Sequence, residues 1–117
     1  MDNKALLRIN SLLRHIDLVL SDMKEVDFTH FEESDVLYRA TCFSISQIGE
    51  QMARLQDKIG DKYPDLPWVL SRRMRNFIVH DYDNVKPEVV YSTATEDLPL
   101  LKEEFSKIKK DFEKNAA

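Results

Sequence analysis

SDVLYRATCFSISQIGEQMARLQDKIG, residues 34–60, is the stretch whose reading decides the fold. Val36, Ala40, Phe43, Gln47 with Ile48, Met52, Leu55 and Ile59 recur at steps of three and four. That spacing predicts one helix with a shared apolar face, starting near Glu32 or Ser34 and ending at Ile59. Gly49 lies inside it, where glycine costs about 1 kcal/mol relative to alanine. A glycine in that position predicts close approach of another backbone. Gly60 stands where a helix C-cap belongs.

On the N-terminal side, Leu6, Ile9, Leu13, Ile16, Leu20 and Met23 predict a first helix from Asn3 to Lys24. Leu7, Leu12, Leu18 and Val19 widen its stripe enough for two neighbours. The period breaks from Asp27 to His30, which reads as a loop. On the C-terminal side, Asp61-Lys62-Tyr63-Pro64-Asp65-Leu66-Pro67 cannot continue a helix, because its two prolines favour extended backbone before them. A third helix is predicted from Pro67 or Trp68 to Asp81, with Leu70, Met74, Phe77 and Ile78 facing the core. A fourth starts near Pro87 and a fifth near Glu96 or Pro99, reaching Lys114. Pro99 can start a helix or bend one, so the last two are either separate or a single kinked rod. The expectation is an all-α, single-domain antiparallel bundle of four to five helices over residues 1–117, with a frayed tail at Asn115–Ala117.

Composition narrows function. Two glycines in 117 residues disfavour phosphate-binding loops and dinucleotide turns, which need glycine for close backbone approach. A net charge of −4 argues against a broad nucleic-acid surface, so contact with a polyanion must come from a local cluster. Cys42 is a single cysteine in a helical pattern, expected to be buried, which fits a reducing compartment and no metal site. No apolar run approaches the ~20 residues of a membrane span, and Met1-Asp2-Asn3-Lys4 lacks a signal-peptide layout. A cytoplasmic protein without cofactor or membrane contact is expected.

The local cluster is Arg72, Arg73 and Arg75, followed by Asn76, His80 and Tyr82. Arginine offers a planar fork of donors suited to phosphate oxygens. Histidine can take and return a proton near neutral pH. Together they suffice for RNA phosphodiester cleavage without a metal, although arginines on a solvated face and a histidine near a helix end are the commoner arrangement. At about 100° per residue, Arg75 and His80 diverge by roughly 140°. Asn76, Arg73 and His80 flank the core-facing side on one edge, and Arg75 and Tyr82 on the other. Either the helix distorts near His80 or a second copy of the chain completes the site; the second is favoured.

Arg75-x-x-x-x-His80-x-Tyr82 resembles the R-x-x-x-x-H-x-Y signature of the HepT-like branch of HEPN proteins. Ile48-Gly49-Glu50, Tyr63-Pro64-Asp65-Leu66-Pro67-Trp68 and Asp97-Leu98-Pro99 line up with it in order. The resemblance is strong from Ile48 to Leu101 and weak in the first helix. It implies a HEPN-like bundle and a homodimeric, metal-independent endoribonuclease, the toxin of a type VII-like toxin–antitoxin pair. It also implies roles for single residues: Arg75 and His80 as the catalytic pair, Asn76 in support, and Tyr82 as acceptor of AMP from a partner minimal nucleotidyltransferase antitoxin. A phosphate and base on Tyr82 would obstruct RNA and could engage Arg75. Where relatives often carry a small residue two positions before the motif arginine, this chain has Arg73. Glu50 is a candidate to orient Arg75, with a merely solvent-facing charge as the simpler alternative. The competing function is a non-catalytic nucleotide- or substrate-binding subunit of a two-component nucleotidyltransferase.

Overall fold

The computed structural model describes residues 3–116, which form six α-helices and no strand. Ser34 starts the long helix α3 (Asp35–Ile59): its hydroxyl accepts the Leu37 N–H at 3.2 Å, satisfying a donor that has no partner inside the helix. Asp27 does the same for a short helix α2 (Phe28–Glu33), accepting the His30 N–H at 2.9 Å. The loop expected from Asp27 to His30 is therefore corrected to a capped turn of helix. Its apolar period is too brief to register, yet it seats Phe31 fully inside the core.

α1 (Asn3–Asp22) runs antiparallel along one flank of α3, bringing Arg8 to Gln51 and His15 to Phe43. α4 (Trp68–His80) runs antiparallel along the other flank, bringing Arg72 to Gln56 and Arg75 to Glu50. α6 (Leu98–Ala116) closes the bundle against α1. Ile9, Leu12, Ile16, Met52, Leu55 and Phe105 are the fully enclosed centre of one continuous core.

α5 (Pro87–Ser92) does not stop before α6. Thr93–Asp97 joins them as a turn of π-helix, so the undecided pair is one helical rod with a bulge. Pro99 explains its place. Proline has no N–H for the carbonyl four residues back, and its ring would press on that carbonyl in a regular helix. Widening the turn just before it removes the clash.

Gly60 holds the expected C-cap position, with φ −58°, an ordinary helical value and not the left-handed one usual for a capping glycine. Three further expectations are corrected. Val36 and Phe43 were expected on the core face of α3 but are 70% and 60% exposed. Thr41, Cys42, Ser44 and Ser46 are buried instead, and such small or polar residues leave no mark in an apolar period. Leu70 and Phe77 likewise lie on the open side of α4, Leu70 being 67% exposed, while Ile78 points inward. The tail is helical through Ala116, and Ala117 lies outside the described residues.

Candidate active site

The site is built on how closely α4 approaches α3. Gly49 makes the approach possible: a Cβ there would stand 2.4 Å from the Arg75 Cβ and 2.9 Å from the Ser71 carbonyl oxygen. The preceding loop fixes where α4 begins, since the Trp68 indole N–H donates to the Tyr63 carbonyl at 2.9 Å and its ring meets Phe105 edge-on. The Tyr-Pro-Asp-Leu-Pro-Trp run is thus a closed loop pinned by its own tryptophan.

Arg75 leaves α4 toward α3. Its Nη2 donates to Glu50 Oε2 at 2.7 Å and its Nη1 to Asn76 Oδ1 at 2.7 Å. Arg54, one turn after Glu50, places Nε 3.3 Å from the other carboxylate oxygen. Partial burial alone would raise the Glu50 pKa, but Arg75 and Arg54 outweigh it and hold the carboxyl below its usual range. Glu50 is therefore not a lone solvent-facing charge. With two of its five N–H groups anchored, Arg75 keeps three for an incoming oxyanion.

His80 is the last residue of α4 and exposed. Backbone geometry stays regular up to it, with the Asp81 N–H donating to the Phe77 carbonyl at 2.8 Å. The helix does not distort to bring His80 to Arg75; within one copy the two leave α4 on different sides. Arg73 stands apart from Arg75 as well, lining an apolar hollow with Phe77, Val85 and Val89.

Tyr82 opens a 3₁₀ turn (Tyr82–Asn84) and is 37% exposed. Its ring rests on Tyr38, centroids 6.0 Å apart, and the Tyr38 hydroxyl donates to the Val85 carbonyl at 3.1 Å, tying the turn to α3. Burial, then the neighbouring Cys42 and Asp35, raise the Tyr82 pKa, so its hydroxyl stays protonated at neutral pH. Tyr38 and Arg54 carried no motif in the sequence. Arg54 could have been found from the i, i+4 spacing with Glu50.

On the opposite side of α4 an open groove of about 830 Å³ runs between α4 and α6, floored by Ile48 and walled by Leu66, Leu70, Met74, Leu101 and Ile108. It holds neither Arg75 nor His80. Among the described residues no group of three or more His, Cys, Asp or Glu could hold a metal ion, and no helix is long and apolar enough to cross a membrane.

An all-helical bundle with an arginine, a histidine and a tyrosine in R-x-x-x-x-H-x-Y register on and just after one helix is a defined class. The chain belongs to the ribonuclease HepT-like family, whose model matches residues 6–108. A protein of Methanocaldococcus jannaschii provisionally named an RNase is 31% identical over 102 residues, covering 87% of this chain and 88% of its own. A second so named from that organism is 30% identical over 102 residues, covering 87% and 84%. A Thermococcus cleftensis protein named Probable ribonuclease HepT is 28% identical over 102 residues, covering 87% and 93%. No solved structure gives a significant match.

Proposed function

We propose that this chain is a metal-independent endoribonuclease acting as a homodimer, the toxin of a toxin–antitoxin pair silenced by AMP transfer to Tyr82. The observation that carries the reading is Arg75, anchored by Glu50 and Asn76 with donors to spare, five residues before an exposed His80. The family and its RNase-named relatives supply the substrate class.

In the proposed reaction the ribose 2′-hydroxyl attacks the adjacent phosphorus and its proton passes to a histidine. The P–O5′ bond breaks, O5′ takes a proton, and a 2′,3′-cyclic phosphate remains. His80 moves the proton, and Arg75 stabilises charge on the non-bridging oxygens. Because the two diverge within one copy, a second copy brings its own pair to a shared cleft. Regulation follows from the Tyr82 hydroxyl. Its oxygen attacks the α-phosphorus of ATP, pyrophosphate leaves, and the minimal nucleotidyltransferase antitoxin must remove the proton, since the hydroxyl stays neutral on its own.

His80→Ala should abolish RNA cleavage and growth inhibition while the helical circular dichroism is retained; cleavage at an undiminished rate would sink the assignment. Co-expression with the antitoxin should add AMP mass to the wild type and none to Tyr82→Phe. The divergence of Arg75 and His80 also favours a second reading, a non-catalytic nucleotide- or substrate-binding subunit of a two-component nucleotidyltransferase. Nucleotide binding without cleavage by purified protein would select it.

A further inference from the structure

The polar network around Arg75 does not stop at the motif. Arg8 on α1 donates from Nη1 to Gln51 Oε1 at 3.2 Å, Arg54 on α3 and Arg75 on α4 share Glu50, and Arg72 on α4 donates to Gln56. All four guanidinium groups, from three helices, are thus held by side chains of one helix, α3. We propose that Arg8, Arg54 and Arg72 form a binding track for the sugar-phosphate backbone of single-stranded RNA, extending the contact at Arg75 across the bundle. The inference rests on the ribonuclease reading above and deepens it.

The choice of anchors carries the argument. Gln51 and Gln56 are neutral acceptors: they fix an arginine in place without cancelling its charge. Glu50 is the one carboxylate in the network, so four positive charges less one negative leave +3 within it. The whole chain is −4, so everything else sums to −7. Asp57, exposed on the same helix, makes no ion pair with these arginines among the described residues. A purely structural network would be expected to neutralise itself; this one keeps its surplus in a chain whose remaining charges sum to −7.

Extent points the same way. Neighbouring helices lie about 8–10 Å apart, so guanidinium groups carried on α1, α3 and α4 spread over roughly 20 Å. That is more than one phosphate can use, and it suits a strand crossing the helices. The anchored side chains have already lost rotamer freedom, so less is lost on binding. No base-stacking aromatic belongs to the network, so the track holds the backbone and does not read sequence.

The test uses full-length protein carrying His80→Ala, so that RNA is bound and not cut, with a labelled single strand of about 12 nucleotides titrated across salt concentrations. Replacing Arg8, Arg54 and Arg72 together by glutamine should weaken binding more than tenfold. It should also flatten the slope of log affinity against log salt by about two, at about 0.7 per lost phosphate contact. Lysine at the same three positions should restore most of the slope, which a structural role for the arginines would not produce. DNA of equal length should lose binding in parallel. An unchanged slope in the glutamine variant, with wild-type cleavage intact, overturns the track and leaves the ribonuclease reading standing. A wild type that neither binds nor cuts RNA overturns both.

Discussion

α1 and α4 flank the same helix and pack on it equally closely, yet they enter the core very differently. α1 buries Ala5, Ile9, Leu12, Ile16 and Val19, one residue in every turn, against α3 and α6. α4 buries only Trp68 and Ile78, packs along α3 as its main partner, and leaves Leu70 on an open groove and Phe77 beside a smaller hollow. Of these two flanking helices, the one with the weaker hold on the core presents Arg75 and His80. Residues available to substrate or to a second copy cannot also be spent on the core. Most of the buried core is accordingly supplied by α1, α3 and α6, with α4 laid along α3 and seated at Gly49.

The sharpest way to break that contrast is to hollow the scaffold. Phe105→Ala removes a fully buried ring, and urea unfolding should show a loss of about 3–5 kcal/mol. Next comes the contact that seats α4. Gly49→Ala puts a methyl group where the Arg75 Cβ and the Ser71 carbonyl already stand, so α4 must shift outward. A cost of about 1–3 kcal/mol is expected, with RNA cleavage falling further than stability alone explains. Normal cleavage in Gly49→Ala would show that the seating of α4 does not govern the site.

Glu50→Gln should be mild for folding, at most about 1 kcal/mol, because the ion pairs are partly exposed. Its effect on cleavage should be larger, roughly tenfold, with kcat moving more than KM as Arg75 loses its anchor. The sign with pH follows from the depressed Glu50 pKa. The carboxylate contributes stability above the usual glutamate range, and that contribution is lost as pH falls through the folded value. Wild type and variant should accordingly differ at neutral pH and converge in acid. Smallest of all is Leu70→Ala, exposed on the open side of α4 and worth about 0.5 kcal/mol or less in a dilute monomer. A concentration-dependent loss at that position would mark the groove as part of an interface between copies.

The contrast between the two helices also explains what could be read in advance. Helix boundaries were legible because their signals are local: Ser34 as a cap, the Pro64–Pro67 loop, the proline at Pro87. Gly49 was legible as a close approach because glycine inside a helix has few other uses. Which face of a helix is buried was less so. Phe43 and Phe77 are as apolar as any core residue, yet both are exposed while Thr41 and Ser44, beside Phe43 on α3, are buried. The Glu50–Arg75 pair could be suggested but not fixed, since it depends on the register of α4 along α3. That register is set by the Trp68–Tyr63 clasp and the Gly49 contact, neither of which any periodicity describes.

The π turn at Thr93–Asp97 has a consequence for the last third of the chain. Val90, Ala94 and Leu98 stay buried at intervals of four, whereas Leu98, Leu101, Phe105 and Ile108 follow at intervals of three and four. The wide turn works as a phase correction between two rhythms, absorbing one residue that a regular helix would convert into rotation. Closing this turn into regular α-helix with every residue kept would leave each later side chain chemically intact but turn them all by about 100°. Phe105 would then face away from the core, and Pro99 would meet the carbonyl that the bulge now moves aside.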